Sequence, residues 1–296
     1  MVAQINAARA AAGLAPLAYD ARLELVGDAH CEALIAEGGD GHFAGDGVPP
    51  YLRWLLAGGH GFHMENVGSY SSTGAIPDAA IAGILARSVA GMLEEKPPDD
   101  GHRRALLDPW ITHIGVGLVR AYGELRATHE LASEVTAQWT GAPVVTAPRT
   151  GARIAGRLQD GWEPEAAEVL WQGLPRPLTP AQLHAARSYS YPPRRAMFYA
   201  NRPAGGTAPA GPGTRPGPVA APFTVDGRGG FSFTWETGPH DGVEIVVLWA
   251  RRGSVGSYVP VAASATVVAA VGTLPPALES WYLLGRRLDR ATGGKP

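Results

Sequence analysis

The chain has 296 residues, of which 45% are hydrophobic and 18% are charged, and its formal net charge is −2. This length suffices for two ordinary domains, and the apolar fraction is that of a globular protein rather than a disordered one. There is no run of Lys or Arg, and no apolar run reaches the roughly 18 residues of a membrane helix. We therefore expect no nucleic-acid partner and no transmembrane segment.

The single cysteine, Cys31, excludes an intramolecular disulfide. It lies on an apolar helical pattern, so we expect it to be a small buried side chain. The first residues already have the pattern of an amphipathic helix and lack the charged start and cleavage site of a signal peptide. We interpret the chain as one whose leader has been removed.

The first 140 residues contain helical patterns followed by strand patterns. Apolar residues recur at spacings of three and four in the helical segments, and Asp20 precedes one of them as an expected N-cap. This order predicts an α+β or layered domain, which we place at 1–145. Helices are expected at 2–12, 20–37, 51–58, 78–96 and 99–108, and strands at 113–121, 124–132 and 134–140.

After residue 145 the sequence becomes rich in Gly and Pro and in short apolar alternations. A helix near 178–188 is predicted by Thr179 as N-cap with Gln182 in the capping-box position. The tract 202–222 is rich in Pro, Gly and Ala and predicts a flexible insertion. The remaining segments predict an all-β sandwich over 146–296. Its strands are expected at 152–158, 166–173, 223–236, 242–253 and 257–272.

Two of the nine histidines lie in informative contexts, although no HExxH, G-x-S-x-G or P-loop motif is present. His42 lies in a glycine-flanked loop, which can present its side chain to a cleft. His102 lies at the N-terminal end of a predicted helix, where free backbone N–H groups favour a neutral, ligand-competent imidazole.

Helical geometry separates the two acids that end the helix predicted from residue 78. At about 100° per residue, its apolar stripe centres near Met92; Glu95 then lies about 60° from that centre and Glu94 about 160° away. The Glu95 carboxylate therefore points along the buried edge, where it must be paired or bound to a cation. The alternative is an acid at a helix end that extends into water.

The stretch HMENVGSY, residues 63–70, places Glu65 among apolar residues. We interpret Asn66 as a structural hydrogen-bonding residue that fixes a turn. His60 and His63, the nearest histidines in sequence, are given no role in a site.

Several segments occur in the order typical of one family. They are INAARAAAGLAPLAYDARLELVGDAHCEALI, GHF, ENVG and MLEEKPPDDGHRRALLDPWITHIGVGL. Together they resemble the bacterial branch of the CAP superfamily of cysteine-rich secretory, antigen five and pathogenesis-related proteins. The resemblance implies a three-layer α-β-α sandwich with a cleft that holds two His and two Glu. The second half resembles extracellular immunoglobulin-like modules in its pattern alone.

Matched motif by motif, the resemblance implies a tetrad of His42, Glu65, Glu95 and His102. In this family the cleft sometimes holds a divalent cation, which here would be bound by His42 and His102, with Zn²⁺ the first candidate and the two glutamates nearby. The sequence departs from the family pattern at Met92, which replaces an aromatic residue, and in a longer loop before His102.

Three functions remain open. The first is a secreted or cell-surface module whose tetrad binds a divalent cation or a small molecule, lipid, glycan or peptide, with the β-sandwich serving extracellular binding. The second is a peptidase-like hydrolase that uses the tetrad for metal-dependent or acid–base chemistry. In the third, the tetrad is a purely structural hydrogen-bond network. Because no nucleophile or oxyanion donor can be named, the sequence leaves enzymatic activity undecided.

Overall fold

The computed structural model describes residues 1–200, 223–253 and 258–292. The first part of the chain, residues 1–133, contains a four-stranded sheet in the order β1-β3-β4-β2 and five helices. Each of these five helices was predicted from the sequence. The elements are α1 Val2–Ala11, β1 Ala18–Tyr19, α2 Ala21–Glu37, α3 Pro50–Leu56, β2 Phe62–Ser71, α4 Asp78–Glu94, α5 Gly101–Leu106, β3 His113–Ala121 and β4 Glu124–Ser133.

Helix α2 lies directly against one face of this sheet. Its N-terminus is capped by Asp20, whose carboxylate accepts from the N–H groups of Arg22 and Leu23 at 2.7 and 3.1 Å. Glycines allow the close approach, since a Cβ added at Gly117 on β3 would lie 2.1 Å from the backbone carbon of Gly27 on α2. The backbones of helix and strand therefore touch without intervening side chains.

The opposite face of the sheet is covered by α1, α4 and α5. These helices contribute apolar side chains to one cluster with β3 and β4, so helices pack on both faces of the sheet. The buried members are Ile5, Leu17, Val89, Met92, Ala105, Leu106, Ile111, Ile114 and Leu131.

Strand β2 was missed by the sequence analysis. Residues 62–71 form an antiparallel edge strand paired with β4 along its whole length. Asn66 lies inside this strand opposite His129, so the prediction that it fixes a turn was wrong. The strand lacks an alternating apolar pattern because both Glu65 and Asn66 are buried, on opposite faces.

In the described residues, the second part of the chain, from Thr136 onward, contains two mainly antiparallel sheets and two helices. Together with the first part, this confirms the α+β class. The sheet orders are β10-β11-β7-β5 and β6-β13-β12-β8-β9. The elements are β5 Thr136–Thr140, β6 Val145–Thr146, β7 Gly151–Leu158, β8 Trp162–Gln172, α6 Pro180–Ala185, β9 Arg194–Tyr199, β10 Phe223–Val225, β11 Gly230–Glu236, β12 Gly242–Arg252, β13 Val259–Val268 and α7 Pro276–Thr292.

Three features of this part bear on the sequence predictions. The capping box of α6 is present, with Thr179 and Gln182 bonded reciprocally. Helix α7 was not predicted. The flexible insertion expected at 202–222 lies outside the described residues. No helix in the described ranges combines the length and the apolar character needed to cross a bilayer.

The largest hydrophobic cluster is shared between the two parts of the chain. Leu23 and Trp54 from the first part pack in one cluster with Ile245 and Trp281 from the second. A β-bridge also joins Gly61 to Ala262. The domain boundary near residue 145 stays a prediction, and the apolar core continues across it.

The contact between α2 and β3 generates a stability prediction. We expect Gly117→Ala to destabilise the protein by about 1–3 kcal/mol, because the new methyl group would overlap the α2 backbone. Gly91→Ala is the matched control: it lies on α4 with open space around it, and Ala should stabilise the helix by about 0.5–1 kcal/mol. Urea denaturation measures both, and equal stabilities of the two variants would contradict the close packing.

Candidate functional site

His42 and Glu65 form the first predicted pair. His42 lies in the loop after α2, and its Nδ1 atom is 2.9 Å from Oε1 of Glu65 on β2. A carboxylate can only accept, so Nδ1 carries the proton. The Glu65 side chain is fully buried whereas the His42 side chain is 13% exposed. The imidazole is therefore the part of this pair that a ligand can reach.

Arg53 occupies the second oxygen of Glu65. Its Nη2 atom lies 2.5 Å from Glu65 Oε2, and its Nη1 atom donates to the carbonyl oxygens of His42 and Val48 at 3.0 and 2.8 Å. Arg53 is fully buried on α3 and supplies the positive charge that a buried carboxylate requires. The sequence analysis missed it. The available signal was a charged residue inside the apolar run YLRWLL.

A second buried acid lies directly behind Glu65. Glu130 on β4 is its cross-strand partner, and Glu130 Oε2 lies 2.9 Å from Nε2 of His63. Burial raises the pKa of Glu130, and burial lowers the pKa of His63 to about 3. The two groups thus form a buried hydrogen-bonded pair beside the Arg53–Glu65 ion pair. His63 belongs to the polar interior behind the site and is not an uninvolved neighbour.

Glu95 and His102 form the second predicted pair. Glu95 follows α4 directly, and its Oε1 atom lies 2.5 Å from Nδ1 of His102. Its Oε2 atom accepts from the backbone N–H groups of His102 and Arg103 at 3.0 and 3.2 Å. Burial raises the pKa of Glu95, but these hydrogen bonds outweigh it and the net pKa is lowered. Glu95 is therefore paired, and the alternative of a free acid in water does not describe it.

The structure joins the four predicted residues as two pairs. Asn66 connects them, because it follows Glu65 on β2 and its side chain donates to the carbonyl oxygen of His102 at 3.1 Å. Strand alternation places Glu65 and Asn66 on opposite faces of the sheet. Within the described ranges, no group of three or more His, Cys, Asp or Glu side chains is arranged to hold a metal. The four-residue site stays a prediction.

Each of the two histidines uses the same ring atom for its glutamate. Nδ1 of His42 and Nδ1 of His102 contact carboxylate oxygens, and neither Nε2 atom has a hydrogen-bond partner among the described residues. Metal-binding histidines typically have this arrangement, in which a carboxylate orients the ring and the other nitrogen binds the ligand. The donor chemistry therefore fits a cation held by imidazole, with the glutamates outside its coordination sphere.

An open depression of about 620 Å³ borders the second pair. It is lined by residues of the α4 end, the following loop and α5, including Glu95, Lys96 and Arg103. The His102 side chain beside it is 38% exposed, compared with 13% for His42. The second pair is consequently the more accessible of the two.

Tyr189, from the second part of the chain, also reaches the site. Its hydroxyl oxygen accepts from the backbone N–H of Glu65 at 2.6 Å, and its ring lies 4.7 Å from the ring of His42. Burial raises the pKa of Tyr189, so its hydroxyl stays protonated. No motif in the sequence distinguished this residue.

Comparison with known proteins identifies the first part of the chain. Residues 2–129 match the family described as the cysteine-rich secretory protein family, CAP. No curated protein matches the chain. Among solved structures, it is similar to a DUF4784 family protein from Bacteroides caccae at 16% identity and a TM-score of 0.20. That similarity covers 48% of this chain and 25% of the other.

The buried ion pair generates a prediction about stability. Arg53→Met should destabilise the protein by about 3–5 kcal/mol, since it leaves the Glu65 carboxylate buried without a counter-charge. Adding Glu65→Gln to this variant should restore part of the loss. As a control, Arg251→Met breaks the exposed ion pair with Glu163 and should cost far less stability than Arg53→Met. Chemical denaturation measures the free energy of unfolding of each variant. Similar losses of stability in Arg53→Met and Arg251→Met would contradict the inferred role of Arg53.

Buried histidines generate a prediction about pH. Burial lowers the pKa of His129 from 6.5 to about 4, and neither of its ring nitrogens has a partner among the described residues. The unfolded chain therefore binds more protons, and the stability present above pH 6.5 is lost as the pH falls towards 4. His129→Leu should reduce the loss between pH 7 and 5 by about 1–2 kcal/mol.

Urea denaturation at the two pH values measures this difference. His184→Leu, which removes an exposed histidine, is the control and should leave the pH dependence as it is in the unaltered protein. An unchanged pH dependence in His129→Leu would show that this histidine does not contribute.

Proposed function

Because residues 2–129 form a CAP superfamily domain, we propose that its two His–Glu pairs bind a divalent cation, with Zn²⁺ the first candidate, or a small ligand. The observation that carries this proposal is the shared geometry of His42 and His102. Each is held through Nδ1 by a glutamate, and each leaves Nε2 available. His42 and His102 would each offer Nε2 to the cation or ligand, and Glu65 and Glu95 would orient their rings.

A bound Zn²⁺ would supply a Lewis-acidic centre for an oxygen or nitrogen atom of a ligand. The residues of this chain would bind the cation and fix the orientation of its ligands. Arg53 would keep the Glu65 charge compensated, so that Glu65 orients His42 without itself being drawn into coordination. The backbone N–H groups of His102 and Arg103 would hold the Glu95 carboxylate in the same way.

Binding without catalysis is supported by the occupancy of both carboxylates. Glu65 is engaged by His42 and Arg53, and Glu95 by His102 and two backbone N–H groups, so all four carboxylate oxygens already accept hydrogen bonds within the protein. A hydrolase is favoured by one observation only, the exposure of His102 beside the open depression. In that alternative, Nε2 of His102 would be the base.

For the architecture, we extend the proposal to the family's three-layer α-β-α sandwich, since helices pack on both faces of the first sheet. The β-rich half would form a second sandwich, with its two sheets packed over a cluster that includes Phe233 and Val246. We also propose a secreted or cell-surface location, which the family match alone supports. The partner chemistry would be a small molecule, lipid, glycan or peptide.

Metal binding is the test. The purified chain, freed of metal by chelation, should bind Zn²⁺ in calorimetry, and His42→Ala and His102→Ala should each weaken binding by at least about 10-fold. His184→Ala removes an exposed histidine elsewhere and should have no effect. If the unaltered protein binds no Zn²⁺, or if neither substitution changes its affinity, the pairs are structural and the proposal fails.

Measurement of substrate turnover distinguishes a hydrolase from a protein that only binds its ligand. Peptide or ester hydrolysis by the unaltered protein that His102→Ala abolishes, and that His184→Ala leaves intact, would establish catalysis over simple binding.

A further inference from the structure

The segment between β8 and β9, residues 173–193, runs across the loop that carries His42; we name this segment the strap. Its Leu178 N–H donates to the carbonyl oxygen of Gly45 at 2.9 Å, and Arg187 forms an ion pair with Asp40 at 2.9 Å. At Gly47, whose φ is +68°, a Cβ would lie only 2.2 Å from the strap's backbone. The strap is therefore seated directly on the loop of the candidate site.

Two tyrosines of the strap cap the free edge of β2. The hydroxyl of Tyr189 accepts from the N–H of Glu65 at 2.6 Å, and that of Tyr191 accepts from the N–H of His63 at 3.3 Å. Tyr191 also donates to the carbonyl oxygen of His63 at 3.3 Å. In an antiparallel edge strand, alternate residues direct their backbone groups away from the neighbouring strand. The tyrosine hydroxyls satisfy groups that another strand would otherwise pair.

Tyr189 differs from Tyr191 in what its ring contacts. The Tyr189 ring lies against the imidazole of His42, with ring centroids 4.7 Å apart and planes at 66°. The Tyr191 ring stacks instead on Tyr51 and Phe62, at 4.4 and 4.8 Å. Tyr189 alone of the two touches both members of the first His–Glu pair.

The strap lies outside the residues that match the CAP family, which end at 129. Nothing in the family assignment therefore gives it a role in the site. Yet it holds the backbone of Glu65 on one side and the ring of His42 on the other. An imidazole that is hydrogen-bonded to a glutamate only through Nδ1 can still change its orientation about that bond. An aromatic ring packed against the imidazole restricts this change of orientation.

We infer that Tyr189 is a positioning residue for His42, so that the ligand-binding site of the CAP domain is completed by the second part of the chain. The inference rests on the proposed function, in which Nε2 of His42 binds the cation. Tyr189 holds the ring through its own ring, and it holds the Glu65 backbone through its hydroxyl. The second part is thus a component of the site as well as an appended module.

Three full-length variants test this inference by Zn²⁺ calorimetry. Tyr189→Ala should weaken binding by about 10-fold, the scale seen when residues that orient metal ligands are removed. Tyr189→Phe keeps the ring and should have a smaller effect. Tyr191→Phe is the matched control, because it removes an equivalent hydroxyl bond to the same strand edge without contacting His42, and its affinity should stay within about twofold of the unaltered protein.

Two results would overturn the inference. One is unchanged affinity in both Tyr189 variants. The other is a loss in Tyr191→Phe as large as that in Tyr189→Ala, which would mean that the strap supports the strand edge in general. If Tyr189→Ala does not fold, Tyr189→Leu replaces it, because Leu removes the aromatic ring from His42 and keeps an apolar side chain in its place.

A second measurement separates this inference from the proposed function. If the unaltered protein binds no Zn²⁺, the proposed function fails, and the role of Tyr189 is judged by the reactivity of His42. The rate of carbethoxylation of His42 by diethyl pyrocarbonate is followed by peptide mass spectrometry, with the exposed His184 as internal reference. We expect a several-fold faster reaction at His42 in Tyr189→Ala than in the unaltered protein. An unchanged rate means that Tyr189 does not hold the ring and overturns the inference.

Discussion

The ion pair between Arg53 and Glu65 is the interaction on which the candidate site depends. Both side chains are fully buried, and an isolated carboxylate at this depth would be too costly to remain charged. Arg53 compensates that charge and, through two carbonyl oxygens, also fixes the loop that carries His42. One side chain thus sets the charge of the site and the position of its imidazole.

The buried polar residues around this ion pair are placed so that like charges do not meet. Glu130 faces Glu65 across the strands, and a second negative charge there would oppose the first. Burial raises the pKa of Glu130, which disfavours that second charge, and burial lowers the pKa of His63 to about 3. The interior therefore favours the one carboxylate charge that Arg53 compensates.

The shared apolar core makes the two parts of the chain physically dependent. Trp281 of α7 packs in the same cluster as Trp54 of α3, and the guanidinium carbon of Arg53 lies 5.6 Å from the Trp281 ring centroid. The helix that bears Arg53 is thus covered by the C-terminal helix. A contribution of the second part to the site, through Tyr189, is consistent with this packing.

The sequence by itself determined the local elements and the candidate residues. Caps and apolar spacing predicted α2 from Asp20 and α4 from Asp78, because these signals act within a few residues. Ordered motifs identified the CAP domain. The sequence also selected Glu95 over Glu94, but the helical geometry used for that choice was wrong, because α4 ends at Glu94 and Glu95 is extended. Each of these predictions depends on neighbours that are close in the chain.

Only the tertiary structure decided how those residues are joined. It paired Glu65 with Arg53 and His42, placed Asn66 in an edge strand instead of a turn, and brought Tyr189 to the site from more than a hundred residues away in sequence. Strand β2 was missed because its two faces both bury polar groups, which erases the alternating pattern. Contacts between distant segments depend on packing and charge compensation in three dimensions, so they cannot be predicted from local sequence periodicity.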